Sequence, residues 1–318
     1  MRPTGRVHLG NYLGALDNWV RLQADCDCFY FVADWHALTS DIPAKGEIAT
    51  NSLEMAADWL GAGLDPARST LFVQSLVPEH AELHLLFSMV TPVAWLERVP
   101  TYKETVEQLG LLSPSYGLLG YPLLQSADIL MYKPRYVPVG VDQVPHIELT
   151  REVARRFNHL FGPVFLEPEA KLTSIPKVPG TDGRKMSKSY DNAIYLTDPP
   201  EVTIPKVKTM VTDPARKRRM DPGNPEVCPV FDLHKIFTPA AEREEAAHGC
   251  RTAAIGCLDC KGVLLDHLMP PLERIRARRT EVAAKPARIR EILQEGSARA
   301  RRTARDTLAA AKAAVGIA

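Results

Sequence analysis

Gly183-Arg184-Lys185-Met186-Ser187-Lys188-Ser189 falls a little past the middle of the chain, behind the run Pro176-Lys177-Val178-Pro179-Gly180-Thr181-Asp182. Pro and Gly at this density predict a flexible loop. Two lysines three residues apart, flanked by small hydroxyl residues, make such a loop a cationic clamp for phosphate oxygens. Lys and Ser are common in any solvated loop, so the stretch needs a partner elsewhere in the chain. The first turn supplies one in Arg2-Pro3-Thr4-Gly5-Arg6-Val7-His8-Leu9-Gly10-Asn11. There a Pro/Gly turn precedes a His, an apolar residue, a Gly and an Asn that open an amphipathic segment. Gly10 lets a ligand approach the backbone, and the N-terminal end of the following helix favours negative charge. His8 and Asn11 add donors for a transferring phosphate.

Together the two stretches resemble the "HIGH" and "KMSKS" signatures of class I aminoacyl-tRNA synthetases, in the expected order. Further segments narrow the likeness. Val139-Gly140-Val141-Asp142-Gln143-Val144-Pro145-His146 and the residues up to Glu152 resemble the segment that tryptophanyl-tRNA synthetases carry ahead of a long helix. Tyr121-Pro122-Leu123-Leu124-Gln125-Ser126-Ala127-Asp128 resembles their amino-acid pocket helix, and Asp34-Trp35-His36-Ala37-Leu38-Thr39 and Thr212-Asp213-Pro214 also fit.

The composition permits this. With 318 residues, 45% hydrophobic and 24% charged, the chain is long enough for a large domain and a smaller one and is typical of soluble globular proteins. A formal net charge of +1 gives no global sign of a nucleic-acid partner. Positive charge is nevertheless concentrated, with eleven Lys or Arg between Arg274 and Arg305 and more from Lys206 to Arg219. Such runs are either solvated helix faces or a surface for an acidic polymer. No apolar run approaches the roughly twenty residues of a membrane span and no signal peptide is visible, so the expected location is cytoplasmic.

Periodicity predicts helices over 11–24, 47–60, 79–89 and 143–160, and strands over 28–33, 70–73 and 136–140. Strands alternating with helices predict an α/β fold, a Rossmann-like doubly wound parallel sheet, with ligands beyond its strand ends where His36, Gly140 and Asp142 emerge. After Ser189 the segments 201–210, 240–247, 263–272, 288–295 and 298–314 read as helices without a convincing strand. The expected domains are therefore 1–189, catalytic, and 190–318, a C-terminal all-helical domain whose last helix packs back on the first. A mononucleotide-binding fold has a strand before its first glycine turn, and here Met1 stands with the turn already under way. The native start is expected upstream, which an intact mass of the native protein would test.

The likeness implies activation of L-tryptophan with ATP and Mg²⁺, release of pyrophosphate, and transfer of the amino acid to tRNA(Trp), with a homodimer as the working form. By likeness Lys185 and Lys188 hold the pyrophosphate, and His8 and Asn11 the triphosphate. Pro3, Thr4, Gly5, Gly10, Gly140, Asp142, Met186, Ser187 and Ser189 border the nucleotide, with Lys103 on the same charge. Tyr121 and Gln143 hold the substrate amino group, while Gln125 and His36 line the pocket. Arg2 stands where some members have a Gln that contacts substrate. Asp128, in an otherwise apolar helix, is suited to accept the indole N–H. A lone His or Gln at a strand end is more often structural, and only the surrounding matches favour a site.

Cys228, Cys250, Cys257 and Cys260 form C-x21-C-x6-C-x2-C. In a cytoplasmic chain such thiols stay reduced and suit a metal, structural zinc or a [4Fe–4S] cluster. The segment Gly249 to Lys261 resembles that of a subset of tryptophanyl-tRNA synthetases with a [4Fe–4S] cluster, which implies iron–sulfur with a structural role. Cys26 and Cys28, read on one face of a strand, are expected in the core. Two rival readings are a tyrosyl-tRNA synthetase, with the same fold and signatures, and a catalytically silent RNA-binding or iron-sensing paralogue. Amino-acid-dependent pyrophosphate exchange separates all three.

Overall fold

The computed structural model describes residues 1–39, 44–108, 110, 112–172 and 178–317. Helix α1 begins at Leu9–Asn11, passes a π turn at Tyr12–Leu16 and ends in Asp17–Leu22. Strand β1, Cys28–Val32, pairs in parallel with β2, Ser69–Val73, and helix α2, Glu47–Ala62, makes the crossover. Helices α3 (Glu79–Ser88) and α4 (Tyr116–Leu130) follow. Strand β3, Tyr136–Val139, pairs in parallel with β4, Glu169–Leu172, across helix α5, Val144–Phe161. Met1 lines β1: its amino group donates to the Phe31 carbonyl and its own carbonyl accepts from Ala33.

The described strands form two two-stranded sheets, β1–β2 and β3–β4; both faces of the first are covered, and the alternation of β1 assigns them. Cys28, Tyr30 and Val32 face a core with Leu16, Trp59 and Leu268, whereas Phe29 and Phe31 pack on the opposite core with Phe72, Leu130 and Phe157. This is the two-sided burial that a doubly wound sheet needs. Strand β4, Glu-Ala-Lys-Leu, was not expected; three of its four residues are exposed, so no apolar alternation marks it. Cys26 corrects another expectation. It precedes β1 and is exposed, and only Cys28 is buried.

The C-terminal part is built on two long helices, α6 (Cys257–Ala283) and α7 (Pro286–Val315). The segments read as two helices over 288–295 and 298–314 are one. Gly296, at the apparent break, is a contact rather than an end: a Cβ there would lie 1.8 Å from the Leu71 carbonyl oxygen of β2. Ala300, Ala304, Leu308 and Ala311 continue this face into the second core. The small residues let the helix approach the sheet layer closely, and Arg301 and Arg305 tie it to Glu79 at the start of α3. Gly61 of α2 similarly admits Arg279 of α6, whose guanidinium pairs with buried Asp58 at 2.6 Å. No helix among the described residues is long and apolar enough to cross a membrane.

Candidate active site

The turn before α1 holds its two polar side chains by mutual capping. The Asn11 amide donates to His8 Nδ1 at 3.1 Å, and the His8 amide donates to Asn11 Oδ1 at 3.3 Å. With Nδ1 accepting, the neutral ring carries its proton on Nε2, and the Asn11 NH₂ remains a free donor pair of the cap. Burial, and then the charges of Lys188 and Lys185, lower the His8 pKa to about 4. Gly10 keeps the turn close, since a Cβ would sit 3.0 Å from the His8 ring and crowd it. Asp58, held by Arg279, accepts from the Val7 amide at 3.1 Å and thereby joins the turn to α6.

The lysine loop is ordered from its middle. Met186 is buried in the first core, leaving Lys185 and Ser189 exposed and Ser187 and Lys188 half-buried. Asn192, 1% exposed, accepts from the Ser187 amide at 2.8 Å and donates to Asp182 and to the Lys185 carbonyl. Gly180 makes room for it, as a Cβ there would lie 2.3 Å from the Asn192 amide. Lys188 Nζ donates to the Thr4 carbonyl at 3.1 Å, so the loop meets the first turn directly, with Gly5 opposite. Pro3 is buried beneath this contact region of the turn and Thr4 is exposed. Pro176 and Lys177 lie outside the described residues.

The other expected nucleotide residues are less closely drawn in. Lys103 is exposed on the helix Pro100–Gln108. Gly140 follows β3 beside Asp142, whose Oδ1 would lie 2.6 Å from a Cβ at that position, and Gln143 donates to Asp142 at 3.2 Å.

Tyr121, Gln125 and Asp128 share one face of α4 at helical spacing. The Tyr121 hydroxyl bonds Thr101, which also bonds His146, one turn after Gln143 on the chain. Asp128 is 2% exposed, with His36 Nε2 on its Oδ2 at 2.7 Å and His80 Nδ1 and Gln74 Nε2 on its Oδ1 at 2.6 and 2.8 Å. Burial alone would raise this carboxyl, but the bonds from His36 and His80 outweigh it and hold it well below the usual carboxylate range. A cavity of about 200 Å³ lies beside this helix face, lined by Trp35, His84, Tyr116, Gly120 and Tyr121 among others, and Asp128 is not in its wall. Sequence reasoning missed Gln74, His80 and Asp58, which are polar, buried and distant in sequence from what they hold, and Asn192, which holds its own loop.

The four late cysteines come near one another without forming the expected metal centre. Burial and the other three thiols push Cys260 up to about 12. Its Sγ is turned to His234 Nε2 at 3.3 Å, and Cys250 Sγ accepts from Arg216 at 3.7 Å. No group of three or more His, Cys, Asp or Glu among the described residues is arranged to hold a metal ion.

Residues 1–269 match the family "tRNA synthetases class I (W and Y)". The chain belongs to this family. It is 50% identical to the tryptophan–tRNA ligase of Thermotoga maritima, over 97% of this chain and 95% of that one. It is 44% identical to the tryptophan–tRNA ligase of Deinococcus radiodurans, over 99% and 97%. The tryptophanyl-tRNA synthetase of Campylobacter jejuni, solved with ADP and tryptophan, superposes with a TM-score of 0.88 at 35% identity, covering 100% of this chain and 98% of that one. The paired turn and loop thus sit in a chain whose full length follows the tryptophan branch of the class I synthetases.

Proposed function

We infer that the chain is a tryptophan–tRNA ligase, which joins L-tryptophan to AMP at the expense of ATP and passes it to the 3′ end of tRNA(Trp). The observation that carries the reading is the contact of Lys188 with the His8 turn, because it sets cations and neutral donors around one space. A carboxylate oxygen of tryptophan attacks the α-phosphorus, the bond to the pyrophosphate oxygen breaks, and pyrophosphate leaves. The protein's part is positioning and charge stabilisation. Lys185 and Lys188 take the departing pyrophosphate, and His8 Nε2–H and the Asn11 amide donate to the triphosphate. Pro3, Thr4, Gly5, Gly10, Met186, Ser187 and Ser189 form the walls of that space, with Gly140, Asp142 and Lys103 at its edge.

Mg²⁺ neutralises phosphate charge when bound. Two acids of this region are already engaged, Asp182 with Asn192 and Arg184, and Asp58 with Arg279 and Val7. The ion therefore fits as a partner of the nucleotide's own oxygens. Tryptophan occupies the α4 face, its amino group on Tyr121 and Gln143, its indole N–H on Asp128, with Gln125 and His36 alongside. Residues 1–189 form the catalytic domain and 190–318 the helical tRNA-binding part, in a cytoplasmic homodimer.

The test is amino-acid-dependent pyrophosphate exchange. Exchange with tryptophan and none with tyrosine is expected; exchange with tyrosine alone, or none at all, would overturn the reading. The protonation of His8 adds a second expectation. Because its imidazole titrates near pH 4 rather than at its ordinary 6.5, kcat/KM for ATP should carry no His8 break between these values. An inflection near 6.5 that His8→Asn removes would contradict this.

The four thiols are proposed to take a [4Fe–4S] cluster, with structural zinc as the competing occupant. Four soft donors suit either, and Arg216 beside Cys250 favours the net negative charge of a thiolate-bound centre. Gly223 supports a cradle, since a Cβ there would stand 2.7 Å from Cys250 Sγ. The centre would brace the helical part, for the ligation itself needs no electrons. Anaerobic purification should give brown protein with iron and sulfide in equal amounts, and a colourless protein with one zinc would refute the cluster.

A further inference from the structure

Asp128 is the hub of a buried polar cluster larger than an amino-acid pocket requires. Gln74 and His80 are both 0% exposed, and both donate to Oδ1. Among the described residues His36 alone bonds Oδ2. Behind His80, its Nε2 meets the Tyr132 hydroxyl at 2.7 Å. The Tyr132 ring is in turn stacked on Phe29 of β1 at 4.6 Å between centroids.

An acceptor-only carboxylate fixes the direction of the bonds it receives. An ionised carboxylate only accepts, so His80 must present Nδ1–H to Asp128. Where the ring is neutral, Nε2 accepts the Tyr132 O–H. Burial first, and then the charges of Asp128 and Glu79, hold the Tyr132 phenol far above its ordinary value, which keeps that proton in place. A carboxylate has about four acceptor positions. Among the described residues both on Oδ1 are taken, and one of the two on Oδ2.

We propose that His80, itself held by Tyr132, is a specificity-determining positioning residue: with Gln74 it fills Oδ1 of Asp128 and leaves beside His36, on Oδ2, the one acceptor position for an indole N–H. This rests on the tryptophan reading of the site. The carboxylate cannot turn without breaking bonds to buried donors, so its open position faces one direction. A substrate with an N–H there completes the set of four. One with sulfur or a methylated nitrogen in that place leaves a buried anion short of a donor, which is the condition under which a polar site rejects a close analogue strongly.

The experiment compares pyrophosphate exchange with tryptophan and with its benzothienyl analogue, in which sulfur replaces the indole N–H. Exchange by the unmodified protein is measured first, and its absence with tryptophan would overturn both this inference and the function it rests on. In His80→Leu the ratio of kcat/KM for tryptophan over the analogue should fall about tenfold or more, with KM for ATP unchanged. His80→Asn, whose amide can donate from the position of Nδ1, should restore most of the ratio. Equal losses for both substrates in His80→Leu would mean that His80 is merely structural and would overturn the inference alone. Should His80→Leu fail to fold, Tyr132→Phe decides: it removes one oxygen, a reduced ratio supports the inference, and an unchanged ratio overturns it.

Discussion

Replacing Lys188 by alanine is expected to slow tryptophan-dependent pyrophosphate exchange about 10²–10³-fold, the typical effect of removing one preorganised donor to developing charge. Tryptophan binding should stay within about twofold, since an interaction made only as pyrophosphate departs lowers kcat without touching ground-state affinity. The geometry makes the separation clean. Lys188 Nζ stands on the Thr4 carbonyl of the first turn, whereas Tyr121, Gln125 and Asp128, proposed for the amino acid, lie on α4. Equal losses of rate and of tryptophan affinity would refute a role confined to the phosphates. Equilibrium dialysis with tryptophan beside the exchange assay distinguishes the two.

Asp128→Asn should be felt twice, in stability and in substrate use. The new amide replaces one accepting oxygen with an N–H₂ and removes the charge, so a neighbouring His or Gln must change tautomer, flip or lose its acceptor. Losing one side of such a buried charged cluster costs about 3–5 kcal/mol, read as a lower urea midpoint at neutral pH. The acid dependence carries a sign. The carboxyl is held below its ordinary value, so the folded protein binds fewer protons there than the unfolded chain. Its contribution is complete above the unfolded value, about 3.9, and is lost as the pH falls through the folded one. The gap between native protein and variant should therefore narrow in acid. A gap that is constant down to about pH 3 would show that the charge of Asp128 is not what the cluster needs. With tryptophan, kcat/KM should fall about a hundredfold.

Both halves of the proposed phosphate site are local patterns in the sequence, a Pro/Gly turn into His8 and Asn11 and a Gly-flanked pair of lysines, and the structure brings them into contact through Lys188 and Thr4. The three apolar strands were legible for the same reason, each a short run of apolar residues, mostly buried in β1 and β2 and half-buried in β3. What could not be read is set by tertiary contact. His80 follows Glu79 at an ordinary helix start, and nothing local marks it as the partner of an aspartate 48 residues on. Gln74 and Tyr132 are equally silent. Gly296 misled in the opposite direction, since a glycine between two helical patterns reads as a break and here admits the carbonyl of another layer. The cysteines were legible as a set, but their present partners, His234 and Arg216, are far away in sequence.

Asn192 changes the character of the lysine loop. By binding Asp182, the Lys185 carbonyl and the Ser187 amide from one buried side chain, it converts a stretch with the composition of a rope into a small tile. A tile moves as one piece. Lys185 and Lys188 then keep their backbone spacing whenever they approach or leave the His8 turn, and the ordering cost is met once for both charges rather than separately for each.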